Sequence, residues 1–140
     1  MSYLIDTNVI SELTKPNPNA QVEQWFGECD AGLLFLSVLT LGELRKGIES
    51  LPTGAKRQRL SDWFDGELKG FFAGRIISVD EAVAARWAHL QSSAGRPLPA
   101  RDSLLAATAL AHDLCLVTRN LIDFDHPGLS VFNPWAARSC

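Results

Sequence analysis

Oxygen-bearing side chains recur at the turns of this sequence: Asp6 in "IDTN", Glu43 in "LGEL", Asp102 in "ARDS", and Asn120 and Asp123 in "TRNLIDFD". Such groups do one of two jobs. Singly, they cap helices by accepting hydrogen bonds from the free N–H groups of the first turn. Gathered together, they bind a hard cation that activates water for attack on an electrophile. The local wording leaves both open. Asp6 or Asn8 can cap the helix that starts beside them, Thr40-Leu41-Gly42-Glu43 matches the reciprocal capping box, and Asp102, just after Pro99, Ala100 and Arg101, can be an N-cap. Asp80-Glu81 opens a helix in the same manner and serves as an internal comparison, since it resembles no catalytic element.

The elements that must position these groups are legible from apolar periodicity. Short apolar runs at Tyr3-Leu4-Ile5, 33–37, 75–79, 114–118 and 129–132 predict strands. Helices are predicted by Val9, Ile10 and Leu13, by Val22, Trp25 and Phe26, and by Leu41, Leu44, Ile48 and Leu51, the last stopping before Pro52. Further along, Leu60, Trp63, Phe64 and Leu68 predict another, Val83, Ala84, Trp87 and Leu90 one that ends near Gly95, and "DSLLAATALAHDL" the last. Alternation of strands and helices implies a mostly parallel sheet covered on both faces. Asp6 then occupies the turn at the carboxyl end of a strand, where open α/β sheets bind ligands. Glu43 falls in the first turns of the helix after 33–37, Asp102 opens the helix before 114–118, and Thr118, Asn120 and Asp123 stand at or just after that strand's end. A doubly wound sheet could bring them to one edge.

Taken in order, "LIDTNVIS", "LSVLTLGELRKGI", "ARDSLLAATALAHDLCLVTRN" with "IDF", and "VFNPW" resemble the successive signatures of the PIN-domain ribonucleases, and especially of VapC-type toxins. The resemblance runs from residue 3 to residue 135 and is thinnest over 52–95. It implies a three-layer α/β/α sandwich whose acidic residues converge on Mg²⁺ or Mn²⁺ and cut RNA, leaving 5′-phosphate and 3′-hydroxyl ends. Carried over by motif, Asp6, Glu43 and Asp102 match the family's first three acidic positions. Asp6 and Asp102 become the principal metal ligands, and Glu43 a ligand or the base that orients the attacking water. At the fourth position the chain departs from the pattern, with Asn120 there and Asp123 three residues further on. Either Asn120 is a polar positioning group or Asp123 supplies a carboxylate; Thr7, Asn8 and Thr118 would support the site. Crowded carboxylates raise one another's pKa, and a divalent cation removes that repulsion. The resemblance also implies a homodimer and a small cognate antitoxin over the active site. Two other readings compete with this one. A PIN-like module disabled at its fourth acidic position would bind RNA or protein without cutting, and an aspartate-nucleophile hydrolase would need a second aspartate where Asn8 stands.

Composition sets the remaining bounds. The 140 residues, 46% of them hydrophobic, suffice for one domain over 1–140 with a sizeable core. No apolar stretch approaches bilayer length and no basic leader precedes the first apolar run, so the expected setting is soluble and cytoplasmic, without membrane contact. A net charge of −3 argues against coating nucleic acid by bulk charge. Lys56, Arg57 and Arg59 read as solvated surface, while Arg45-Lys46, Arg96, Arg101 and Arg119 are scattered cations. Cys29, Cys115 and Cys140 have neither disulfide nor zinc spacing, and His89, His112 and His126 do not form a zinc motif. Trp25, Trp63 and Trp87 read as core or subunit contacts, and Trp135 as an anchor for the chain's last segment.

Overall fold

Among the described residues, β1 (Tyr3–Ile5), β2 (Leu34–Ser37), β3 (Ile76–Ile77), β4 (Cys115–Val117) and β5 (Val131–Phe132) form an all-parallel sheet in the order β3-β2-β1-β4-β5. The structure, a computed structural model, describes residues 1–136; Cys140 lies outside the described residues. Alternation along each strand divides the side chains between two cores. Ile5, Leu34, Leu36, Cys115 and Val117 enter one, whereas Leu4, Phe35, Leu116 and Val131 pack into the other.

Helices α1 (Thr7–Leu13), α2 (Ala20–Glu28) and α3 (Val38–Glu49) cover the first core, followed by α4 (Ala55–Asp62), a π-helical segment (Trp63–Leu68) and α5 (Lys69–Phe71). On the opposite face lie α6 (Glu81–Ser93) and α7 (Ala100–Ala111). The result is the expected three-layer α/β/α sandwich. The composition of α7 follows from its position: Leu105, Ala106, Ala107 and Ala109 are all buried, and small side chains let the helix lie close to the sheet and to α6. Trp87 of α6 closes this interface by donating its indole N–H to Ser103 Oγ at 2.9 Å. Trp25 and Trp63 are half-buried against the first core, as is Trp135, whose ring lies 5.0 Å from the Arg119 guanidinium carbon.

Three elements differ from the sequence expectation. The strands are shorter than their apolar runs, with only Ile76 and Ile77 paired out of 75–79. The helix expected over 60–68 is broken by the π segment because its apolar residues, Leu60, Phe64, Leu68 and Phe72, recur every four positions. That spacing overshoots a 3.6-residue turn, and the wider π turn takes up the excess so that all four stay on the core. The third difference is the start of α3. Its N-cap is Ser37, whose Oγ accepts from Leu39 N at 3.0 Å, so Thr40 and Glu43 do not form the expected capping box. No helix among the described residues is long and apolar enough to cross a membrane.

Candidate active site

At the carboxyl ends of β1 and β4 a cleft of about 540 Å³ opens between α1, α3 and α7. Asp6 is its floor. The residue directly follows β1 and is 1% exposed, because β1 is the central strand and both its neighbours shield it. It caps α1 and also faces the cleft: Oδ1 accepts from Thr7 N at 2.7 Å and from Arg101 Nη2 at 2.5 Å, while Oδ2 accepts from the Thr118 hydroxyl at 2.7 Å. Capping α1 therefore does not take this carboxylate away from the cleft.

Glu43 comes from the second turn of α3, where no capping duty holds its carboxylate. Its Oε1 accepts from Arg101 Nη2 at 2.5 Å and from the Thr7 hydroxyl. Asp102 is not an N-cap either. That position belongs to Pro99, and Asp102, in the first turn of α7, accepts from Arg101 Nη1 at 3.0 Å. Thus Asp6, Glu43 and Asp102 converge on a single cationic side chain.

A second cluster lines the β4 side. Thr118 Oγ1 donates to Asp6 and accepts from Asn8 Nδ2 at 3.2 Å and Asn120 N at 3.1 Å, which uses the full capacity of a hydroxyl. Asn120 itself is exposed and lines the cleft. Asp123 does not. It is exposed on the 3₁₀ turn Ile122–Phe124 and borders a separate hollow shared with Asp102, Ser103 and His126, because burial of Phe124 turns its neighbour outward. His112 is exposed at the end of α7 and Asp80 caps α6 by accepting from Val83 N at 3.0 Å; neither borders the cleft.

Residues 3–127 match the PIN domain family. The chain is a PIN-domain protein. It is 40% identical to Toxin FitB of Neisseria gonorrhoeae, over 94% of this chain and 97% of that one. The VapC ribonuclease Y4jK of Sinorhizobium fredii is 36% identical, over 94% and 96% of the respective chains. The crystal structure of FitAcB from Neisseria gonorrhoeae superposes with a TM-score of 0.89 at 38% identity, covering 96% of this chain and 99% of the other.

The oxygen-only donor set of this PIN domain, three carboxylates with a threonine hydroxyl and an amide alongside, fits a hard divalent ion such as Mg²⁺ or Mn²⁺. Side-chain spacing is another matter. Among the described residues no three His, Cys, Asp or Glu side chains stand close enough together to hold one ion as they are. Arg101 lies between them. Burial works against its charge, but hydrogen bonding to Glu43 and the nearby charge of Asp6 outweigh that and raise its pKa above the ordinary value.

In the sequence Arg101 is one of several scattered cations. A signal was available: a guanidinium in the first turn of a helix opposes the helix dipole, so it needs anions nearby to be stable there. Glu12 was also missed. It is buried at the end of α1 and lines the cleft, with Oε1 accepting from Lys15 Nζ at 2.8 Å and Oε2 from Asn19 N at 2.8 Å. The Lys15 hydrogen bond, reinforced by Asn19 N–H, lowers its pKa below 4.5. A depressed carboxylate adds stability that is present above its unfolded pKa and disappears as pH falls through the folded value. Glu12→Gln is therefore expected to lower the urea midpoint at pH 7 and to leave it less sensitive to acidification below about pH 4.5 than in wild type. Parallel midpoint curves for the two proteins between pH 7 and pH 3 would refute this.

Proposed function

We propose that this PIN domain is a metal-dependent endoribonuclease and the toxin of a toxin–antitoxin pair. One observation carries the reading: Asp6, Glu43 and Asp102, from three separate elements, all turn their carboxylates to the guanidinium of Arg101 at the carboxyl edge of a parallel sheet. Its relatives named as a toxin and as a VapC ribonuclease support the same activity.

In this reading Asp6 and Asp102 hold Mg²⁺ or Mn²⁺, and Glu43, the most exposed of the three, shares the ion and orients water toward the phosphodiester. The ion supplies Lewis acidity at the phosphate. Thr118 and Thr7 fix the Asp6 and Glu43 carboxylates, which limits their reorganisation during attack. Asn120 positions RNA or water at the open end. Lys15 and Arg119, on the cleft wall, provide phosphate contacts along the strand.

A toxin made by its own cell requires a neutralising partner, so a cognate antitoxin belongs to the proposal, as does action on cytoplasmic RNA. Leu121 and Ile122, 45% and 92% exposed beside the site, offer apolar surface for a homodimer or antitoxin contact.

The test is incubation of the purified protein with a mixed RNA substrate in Mn²⁺ and in chelator. Internal cleavage in Mn²⁺ alone, with 5′-phosphate and 3′-hydroxyl ends, is expected. Asn120→Asp should retain it. No cleavage by wild type in Mn²⁺, together with cleavage by Asn120→Asp, would instead identify a module disabled at that position.

A further inference from the structure

Arg101 is held as an ion is held. Its Nη2 has Asp6 Oδ1 and Glu43 Oε1 at 2.5 Å and Thr7 Oγ1 at 3.1 Å, while Nη1 meets Asp102 Oδ1 at 3.0 Å. An Nη nitrogen carries two hydrogens, so three oxygens around it are a coordination shell, unlike the parallel fork that guanidinium forms with one carboxylate. Arg101 Nε is buried without a hydrogen-bond partner. The side chain therefore leaves one of its own donors unsatisfied while serving the carboxylates. A divalent ion bridging Asp6 and Glu43 would lie between the two carboxylates, where Nη2 now stands 2.5 Å from each. Guanidinium and ion cannot both occupy that position.

We propose that Arg101 is a built-in counter-cation that holds the three carboxylates in the resting protein and is exchanged for the divalent ion when the site is loaded. This rests on the metal-dependent reading above. The charges require something of the kind, since Asp6, Glu43 and Asp102 in one cleft repel each other strongly unless a positive group lies between them. Arg101 supplies one charge where the ion supplies two, so the ion wins only when its concentration is sufficient. Exchange also needs an exit. The side chain is 30% exposed and opens on the cleft, so it can rotate out without unfolding α7. Loading of the site is then coupled to the movement of one side chain, and apparent metal affinity is reduced by the fraction of molecules in which Arg101 is in place.

The experiment compares Mn²⁺ binding to wild type and Arg101→Met by electron paramagnetic resonance of free Mn²⁺, with thermal unfolding of each protein with and without the ion. Arg101→Met is expected to bind Mn²⁺ about tenfold more tightly or better. Its metal-free form should melt at a lower temperature than wild type, and Mn²⁺ should raise its melting temperature more. Equal or weaker Mn²⁺ affinity in Arg101→Met overturns the exchange and makes Arg101 a companion of the ion. Absence of Mn²⁺ binding to both proteins overturns the metal-dependent reading as well. Should Arg101→Met fail to fold without the ion, NMR of the wild-type arginine side chains decides: Mg²⁺ must shift the slowly exchanging Arg101 guanidinium resonance to a solvent-exchanging one. A resonance that Mg²⁺ leaves in place overturns the proposal.

Discussion

Asp6→Asn is expected to reduce RNA cleavage in saturating Mn²⁺ by at least about two to three orders of magnitude while the protein stays folded. The substitution changes little besides charge. An asparagine Oδ1 can still accept from Thr7 N, as Asp6 does at 2.7 Å, so the cap of α1 survives. Its Nδ2 would face the Thr118 hydroxyl, whose two acceptor sites Asn8 Nδ2 and Asn120 N already fill, so this one hydrogen bond is lost at a cost of about 1–3 kcal/mol that lowers the melting temperature without unfolding the protein. What is lost is a negative ligand at the most enclosed point of the cleft, where charge matters most because solvent cannot screen it. Asp102→Asn should behave alike, since its carboxylate completes the same cluster. Asp80→Asn should keep wild-type activity, because an amide oxygen caps α6 as well as a carboxylate and Asp80 lies outside the cleft. Cleavage assays run beside circular-dichroism melts check all three. Equal activity of Asp6→Asn and Asp80→Asn would disprove the site.

The largest effect on stability is expected from Phe124→Ala, a loss of about 3–5 kcal/mol. Phe124 is 1% exposed in the core between the sheet and α6–α7. The two residues before it in the 3₁₀ turn, Ile122 and Asp123, both face solvent, so this ring is what anchors the turn to the core. Truncation opens a cavity beneath it and frees the stretch bearing Asn120. The urea midpoint should fall sharply, and amide exchange over residues 119–125 should quicken. Ile122→Ala, at a residue 92% exposed, should shift the midpoint hardly at all. Similar midpoints for the two variants would refute the anchoring role.

Local pattern revealed the architecture because apolar alternation and helical periodicity are themselves consequences of which face is buried. It placed Asp6 on its turn for the same reason. Local pattern failed where two motifs share one wording. Thr40 and Glu43 carry the spacing of a capping box, yet Ser37 ends β2 and starts α3 at once, which moves the helix start upstream and leaves Glu43 free for the cleft. Asp102 follows the same logic, displaced from the cap by Pro99. Which anions Arg101 meets was illegible for a different reason. Its partners Asp6 and Glu43 are remote in the chain, and only the packing of α7 against the sheet's carboxyl edge brings their charges to it. Asp123 was ambiguous until the burial of Phe124 settled which way the turn faces.

The central place of β1 also bears on when the candidate site is completed during synthesis. The chain's first strand must pair with β4, whose residues are made late, and such a distant closure is slow to form and unfavourable until complete. A nascent chain that has emerged through α6 already carries Asp6 and Glu43 but neither Asp102 nor Asn120. Partial products therefore lack part of the carboxylate cluster, which is completed only near the end of synthesis. In the proposed reading, a neutralising partner would then meet the site only in finished molecules.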